Sequence, residues 1–316
     1  MARLDLHPRR VVIGANAHAD LSRAILSARP DLETRGAKYT EVTADDLEWG
    51  DTYFGFRRPP LPSMGNIRWV HCTGAGVDSW LMPVELPREI LLTRTSESFG
   101  PMIAEWALAR ALAFTQQLID LSDRQRAGEW APRDVRLVRG THAVVVGTGD
   151  VGTHVARVFA ALGASITGVS RTGKGDASVF PRVVRVSSLV DVVPSADWVI
   201  LTLPLTRETR GLVGRQTLLA CRGAILINAG RGAVVDESAI SEALNAGALS
   251  GAALDVFEIE PLPASSALWS DSRVMVSPHI SGLTTVEGAV GGFLGCLVEI
   301  EAGKLPDRTV DRERQY

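Results

Sequence analysis

Short apolar runs alternate with amphipathic or small-residue stretches from one end of the chain to the other. Arg10-Val-Val-Ile-Gly14 predicts a buried first strand, and residues 20–28 a helix closed by Pro30. Ile67-Arg-Trp-Val-His-Cys72 predicts a strand that runs into the glycine-bearing turn Thr73-Gly-Ala-Gly-Val-Asp78. Residues 101–123 carry Ala, Leu, Trp and Phe on nearly every side, with Pro101 suited to a first turn. That predicts one long helix, buried around most of its circumference between domains or subunits.

A second series begins at His142. Strands are expected at 143–146, 165–169, 198–203, 224–228, 251–255 and 274–277, with a helix over 150–162 that stops at Gly163. Strand and helix alternate throughout, which predicts an α/β protein with parallel sheets. Because this second series starts in mid-chain, the first must form a domain of its own. Beyond residue 284 an apolar helical spacing recurs (Val290, Phe293, Leu294, Leu297, Val298) with nothing of its own to pack on. The tail is therefore expected to return to the N-terminal domain. The expected organisation is one domain of residues 1–99 with 284–316 and another of residues 100–283.

Candidate chemistry sits where these strands should end. Val144-Val-Val-Gly-Thr-Gly-Asp-Val-Gly152 is a GxGxxG between a strand and a helix, a dinucleotide-binding fingerprint. Gly147 would make the tight turn, Gly149 would let a diphosphate approach the backbone, and Gly152 would let helix and strand pack closely. Asp150 and Val151 open the helix, Asp150 with its carboxylate turned from the diphosphate. About 20 residues on, where an acid usually reads the ribose, stands Ser170-Arg171-Thr172. No carboxylate there repels a 2′-phosphate, Arg171 can pair with one, and Ser170 and Thr172 can donate to it. NADP is therefore expected in preference to NAD, with NAD possible.

Three later segments each set one ionisable residue among small, turn-forming neighbours. They are Asn228-Ala-Gly-Arg-Gly-Ala-Val-Val-Asp236, Asp255-Val-Phe-Glu-Ile-Glu-Pro-Leu-Pro263 and Ser277-Pro-His-Ile-Ser-Gly282. Arg231, Glu260 and His279 are the parts needed to hold a carboxylate and move a proton at its carbonyl. The glycines beside Arg231 read as room for close ligand approach. Glu258 competes with Glu260 as partner of the histidine. Upstream, Gly74 and Gly76 expose backbone N–H groups to which a ligand has access.

Together these segments resemble the D-isomer-specific 2-hydroxyacid dehydrogenases, in particular their glyoxylate/hydroxypyruvate reductase branch. The resemblance runs from about Trp69 to Gly282 and includes Ile103-Ala-Glu105 and Leu201-Thr-Leu-Pro-Leu-Thr-Arg-Glu-Thr209. It implies two Rossmann-like domains with the active site in the interdomain cleft. By it, Arg231 should bind the substrate carboxylate and carbonyl oxygen, His279 should be the acid/base, and Glu260 should hold and tune His279. Ala75, Gly76 and Val77 should bind the substrate carboxylate through their backbone. Cofactor contacts are further expected at Leu203, Pro204, Thr209, Ala229, Gly230, Ser281 and Gly282, and Asp255 near the nicotinamide carboxamide. The implied activity is reduction of a small 2-oxo acid to the D-2-hydroxy acid. A dinucleotide-sensing corepressor of the same fold is the alternative, and the intact Arg–Glu–His set argues against it. A formate-acting relative would be expected to carry Gln in place of Glu260.

The segment Asp51-Thr-Tyr-Phe-Gly-Phe-Arg-Arg58 matches less well and is expected to set substrate choice. Tyr53, Phe54 and Phe56 would wall a small pocket, and Arg57 or Arg58 would meet a second anionic group or simply face solvent. Glu105 is assigned to helix packing or a hinge. His7, His18, His71, His142 and His154 are assigned to structure or surface.

Composition adds exclusions. The 316 residues suffice for two domains, with 46% apolar and 22% charged residues and a net charge of −3. Such a balance offers no basic face to nucleic acid or membrane. Cys72, Cys221 and Cys296 are odd in number and lack CxxC spacing, which speaks for a reducing compartment and against a zinc site. The N-terminus lacks the apolar run of a signal peptide, and no stretch is long enough to span a membrane, so a cytoplasmic location is expected. No metal is called for, and a homodimer is expected.

Overall fold

In the computed structural model, which describes residues 5–82, 84–95 and 99–316, the first apolar run forms strand β1 (Arg10–Gly14). The leader reading rests partly on residues 1–4, which lie outside the described residues. Beside β1 run β2 (Glu33–Ala37), β3 (Thr52–Phe54), β4 (Trp69–Cys72) and β5 (Leu91–Arg94). They pair in parallel in the order β2-β1-β3-β4-β5. The amphipathic helix His18–Ala28 and the C-terminal helix Val286–Glu301 bury their apolar sides on this sheet. Phe293 stacks on Trp69 with ring centroids 4.8 Å apart and planes 8° from parallel. The tail thus returns to the first sheet because its apolar stripe finds Phe54, Trp69 and Ile13 there.

The pocket wall expected of Tyr53 and Phe54 does not form. Tyr53 and Phe54 belong to β3, and neither side chain is exposed at all. Tyr53 fills the space over Gly14, where a Cβ would lie 1.7 Å from its hydroxyl oxygen. Flanking Asp, Gly and Arg residues hide a short strand that is buried on both faces. Arg57 lies over the Tyr39 ring, and Arg58 donates to the Val84 carbonyl at 3.2 Å.

The second sheet contains β6 (His142–Val146), β7 (Ser165–Ser170), β8 (Arg182–Arg185), β9 (Trp198–Leu201), β10 (Ala224–Asn228), β11 (Leu249–Leu254) and β12 (Val274–Val276). All seven run parallel, in the order β12-β11-β10-β9-β6-β7-β8. The connections change direction between β6 and β9. In a doubly wound sheet such a point leaves a crevice outside the strands' carboxyl ends, where ligands bind.

The long helix expected over 101–123 is two helices, Phe99–Thr115 and Leu118–Ala127. Gln117 between them is left-handed, with φ 52°. The break is held by neighbours from 134–136. The Gln116 side chain donates to the Arg136 carbonyl at 2.9 Å, that of Gln117 to the Asp134 carbonyl at 2.8 Å, and the Arg136 N–H to the Thr115 carbonyl at 2.9 Å. The first helix is largely buried, but none of the residues of the second is. Glu105, on the first helix, is exposed.

The chain divides into two compact units, Met1–Ser98 with Thr284–Tyr316, and Phe99–Leu283. Among the described residues no helix is long and apolar enough to cross a membrane, and no group of His, Cys, Asp and Glu could hold a metal ion.

Candidate active site

The fingerprint turn joins β6 to the helix Asp150–Ala161 at the switch point. Gly147 has φ 112°, which a side chain would strain, and its Cβ would come 2.6 Å from Thr202 Oγ1. A Cβ on Gly152 would lie 1.8 Å from the Gly147 carbonyl oxygen. A Cβ on Gly149, by contrast, would meet nothing within 4 Å. The fold itself requires the first and third glycines, while the middle one faces open space at a helix N-terminus. That is the cradle a diphosphate fits. Val151 is half-buried behind it. The Asp150 carboxylate is exposed and folds back along the helix, 3.4 Å from His154 Nδ1.

At the end of β7, Ser170 closes the turn that follows. Its hydroxyl donates to the Lys174 carbonyl at 2.8 Å and accepts from the Lys174 N–H at 3.0 Å. The Ser170 hydroxyl proton is therefore committed to the turn, and the side-chain donors left to meet a phosphate are those of Arg171 and Thr172. Both are exposed, and among the described residues no carboxylate pairs with Arg171.

Arg231 follows β10 in a turn braced by Asn228. The Asn228 side chain accepts from the Gly230 N–H at 3.1 Å and donates to the Arg231 carbonyl at 3.2 Å. Arg231 Nη1 donates to the Gly230 carbonyl at 2.8 Å. The flanking glycines serve a different end from the one expected. A Cβ on Gly230 would lie 2.6 Å from the Leu203 carbonyl oxygen, and one on Gly232 1.9 Å from the Phe257 carbonyl carbon. They let protein backbone, not ligand, approach. Ala229 and Gly230 are buried, and Pro204 and Leu203 are half-buried. The Thr209 hydroxyl is spent on the Pro204 carbonyl, 2.7 Å away, where it shapes the 204–209 turn.

His279 sits in a left-handed conformation, φ 54°, rare for a residue with a Cβ. Asp255 holds it there. That carboxylate is wholly buried and accepts from Ser277 Oγ at 2.6 Å, Ile280 N–H at 3.0 Å and Ser281 N–H at 2.7 Å. The His279 N–H donates to the Asp255 carbonyl at 2.8 Å. Asp255, expected beside a carboxamide, is thus first a brace for the histidine turn. The register of β11 on β12, Leu254 opposite Val276, is what brings it there. Neither this brace nor that of Asn228 was visible from spacing alone. The one signal in each case is a polar residue that ends an apolar strand.

His279 Nδ1 lies 2.9 Å from Glu260 Oε2, and Glu260 Oε1 accepts from the Phe257 N–H at 3.1 Å. Burial pushes the Glu260 carboxyl up. The hydrogen bond and charge of His279, the Phe257 N–H and the Arg231 charge outweigh it, and hold the group below the usual carboxylate range. Glu258 is exposed, 3.8 Å from Arg210, so the competition between the two acids resolves in favour of Glu260. With Nδ1 occupied, Nε2 is the ring atom left to face a substrate. Gly282 follows, packed on Ile103 and Phe99.

In the first unit, the turn after β4 lies under Phe56, whose ring edge occupies the place of a Cβ on Gly74 (2.6 Å). Gly76 and Val77 are buried and Ala75 is half-buried. Of the aromatics expected at a pocket, only Phe56 lies against this turn.

An open glycine turn at a switch point, with a histidine–carboxylate pair and an arginine, defines a nicotinamide-dependent dehydrogenase. The family model for the D-isomer specific 2-hydroxyacid dehydrogenase NAD binding domain matches residues 108–281. The chain belongs to the D-isomer-specific 2-hydroxyacid dehydrogenase family. It is 32% identical over 266 residues to glyoxylate/hydroxypyruvate reductase A of Serratia proteamaculans, covering 80% of this chain and 84% of that one. Its structure resembles a D-isomer specific 2-hydroxyacid dehydrogenase from Xanthobacter autotrophicus in complex with NADPH and MES. There the TM-score is 0.86 and the identity 31%, over 98% of this chain and 100% of the other. An NADPH-dependent glyoxylate/hydroxypyruvate reductase from Sinorhizobium meliloti, in complex with NADP and sulfate, gives a TM-score of 0.86 at 26% identity, over 98% and 100%.

Proposed function

We propose that the chain reduces a small 2-oxo acid of the glyoxylate or hydroxypyruvate kind to the D-2-hydroxy acid, with NADPH preferred over NADH. The observation that carries this reading is the 2.9 Å contact between His279 and Glu260. A protein that only senses a dinucleotide has no use for a braced acid/base pair. The relatives' names and the NADP-bound neighbours support the substrate class and the cofactor.

When bound, the reduced nicotinamide supplies a hydride to the substrate carbonyl carbon. The Gly147–Gly152 turn would hold its diphosphate, and Arg171 and Thr172 its 2′-phosphate. Arg231 binds the substrate carboxylate and steadies negative charge that develops on the carbonyl oxygen. The N–H groups of Ala75, Gly76 and Val77 bind a substrate carboxylate. His279, charged, donates the proton from Nε2 to that oxygen. Glu260 favours the charged imidazole and fixes its orientation through Nδ1.

The working form is a homodimer in this reading. The helix Leu118–Ala127 and the segment after it leave Leu118, Ile119, Trp130, Val135 and Leu137 exposed, Trp130 at 98%. Such a face suits a second copy of the chain. Light scattering that finds only the monomer mass contradicts this. Three buried cysteines suit a reducing cytoplasm.

The test is a panel of glyoxylate, hydroxypyruvate, pyruvate and phenylpyruvate, assayed with NADPH and NADH separately. Turnover of the first two with a higher kcat/KM for NADPH is expected. Arg171→Ala should raise the NADPH KM about tenfold with little change for NADH, the size of one charge-assisted contact. Equal cofactor preference in the wild type contradicts the NADPH assignment, and no turnover contradicts the function.

A further inference from the structure

The turn after β4 has an unusual hydrogen-bond balance. The N–H groups of Ala75, Gly76 and Val77 meet no acceptor among the described residues, although Gly76 and Val77 are buried. Buried donors are nearly always paired, so two successive unpaired ones beside the Ala75 N–H mark a place for an anion. The carbonyls of the same turn are held from below. Cys72 Sγ approaches the Gly76 carbonyl at 3.4 Å, and Arg94 Nη1 donates to the Ala75 carbonyl at 2.8 Å.

Arg94 itself is unusual. It ends β5, is half-buried, and no carboxylate among the described residues pairs with it. Burial disfavours its charge, with Cys72 and Tyr316 opposing that effect. Its backbone is fixed by the C-terminal segment. The Arg94 N–H donates to the Arg308 carbonyl at 3.2 Å, and the Val310 N–H to the Leu92 carbonyl at 2.9 Å.

The Ala75–Gly76 peptide is planar, and in the trans form its C=O and N–H point in opposite directions. A guanidinium that draws the carbonyl to one side therefore presents the Gly76 N–H on the other. The charge next to the carbonyl also polarises the peptide and makes that N–H a stronger donor. We propose that Arg94 is the positioning residue of the substrate-carboxylate turn, and acts through the Ala75–Gly76 peptide without touching the substrate. The proposal rests on the reading above in which residues 75–77 bind the carboxylate.

A residue with this role affects ground state and transition state alike, so its loss appears in the substrate KM. The experiment measures kcat, substrate KM and NADPH KM for wild type, Arg94→Gln and Arg94→Lys with hydroxypyruvate and glyoxylate. Arg94→Gln should raise the 2-oxo-acid KM about tenfold, the size of a charge-assisted hydrogen bond, with kcat and the NADPH KM near wild type. Arg94→Lys keeps a charge and a donor but loses the planar fork, so it should recover part of that loss and leave the KM about threefold above wild type. If Arg94→Gln does not fold, the decision passes to Arg94→Lys. Its threefold rise in KM at unchanged kcat then supports the proposal, and a wild-type KM overturns it. A wild-type substrate KM in folded Arg94→Gln also overturns it, as does a joint change of kcat and NADPH KM. In both those cases the wild type still turns over, so the proposed function stands. A wild type that turns over no 2-oxo acid removes both.

Discussion

His71 and His279 are the same side chain in opposite circumstances. His71, on β4, has no exposed surface. Its Nδ1 lies 2.8 Å from Thr93 Oγ1 and its Nε2 3.0 Å from Thr95 Oγ1, and the rings of Phe54, Trp69 and Phe293 surround it. Both nitrogens meet neutral hydroxyls, so burial goes uncompensated and the Arg308 charge adds to it. The group is pushed down to about 3. His279 is one-third exposed, has one nitrogen on a carboxylate and no partner for the other among the described residues, and stands in a strained backbone conformation that Asp255 enforces. A ring satisfied on both sides by neutral hydroxyls is structural. A ring satisfied on one side only, by a charge, is equipped to exchange a proton.

The largest effect expected from this contrast is on rate. His279→Asn should lower kcat by about 10²–10⁴, the range for removal of a general acid, and leave the melting temperature near wild type. Steady-state kinetics beside a thermal melt checks both halves. His71→Phe should do the converse. It fills the same space but leaves the Thr95 hydroxyl without its partner, which costs roughly 1–3 kcal/mol of stability. Chemical denaturation should show that loss while kcat stays within about twofold. A large fall in kcat with full stability would assign His71 a part in the chemistry.

A smaller effect, from burial of the His71 ring, appears in the pH dependence of stability. Between 6.5 and about 3 the unfolded chain carries a proton on residue 71 that the native protein excludes. Stability therefore rises with pH across that window and is lost as the pH falls through it. Glu260 adds a dependence of the same sign. Its carboxyl is held below the usual carboxylate range, so its contribution is present above that range and disappears on acidification through the lowered value. Denaturation midpoints from pH 7 to 4 should fall more steeply for wild type than for His71→Phe. Parallel curves would mean that the ring takes up a proton in the folded state.

Much of this contrast could be read from the sequence. Pro278 before His279, the glycine spacing at 147–152 and the buried run of residues 224–228 carried both the site and the second sheet, because period and punctuation are local signals. Long-range pairing was not legible. Tyr53 and Phe54 looked like pocket walls until β3 inserted between β1 and β4 and buried them. Gly230 and Gly232 looked like ligand clearance until Leu203 and Phe257, from other strand ends, took up the space. Asp255 and Arg94 are polar residues at strand ends, and only the register shows which turn each one braces. The helix break at Gln117 depends on carbonyls some 17 to 20 residues away in sequence.

The central claim is that Glu260 sustains the charged, proton-donating form of His279. Glu260→Gln keeps the shape and removes the charge. The direct measurement is kcat against pH in the reductive direction, with NADPH and a saturating 2-oxo acid, for wild type and this variant. The account predicts that activity in Glu260→Gln is lost at a lower pH than in wild type, by about one unit for each ~1.4 kcal/mol of lost charge stabilisation. The NADPH KM should hold near its wild-type value. Superimposed profiles would contradict the claim, and the 2.9 Å contact between the two side chains would then be structural only.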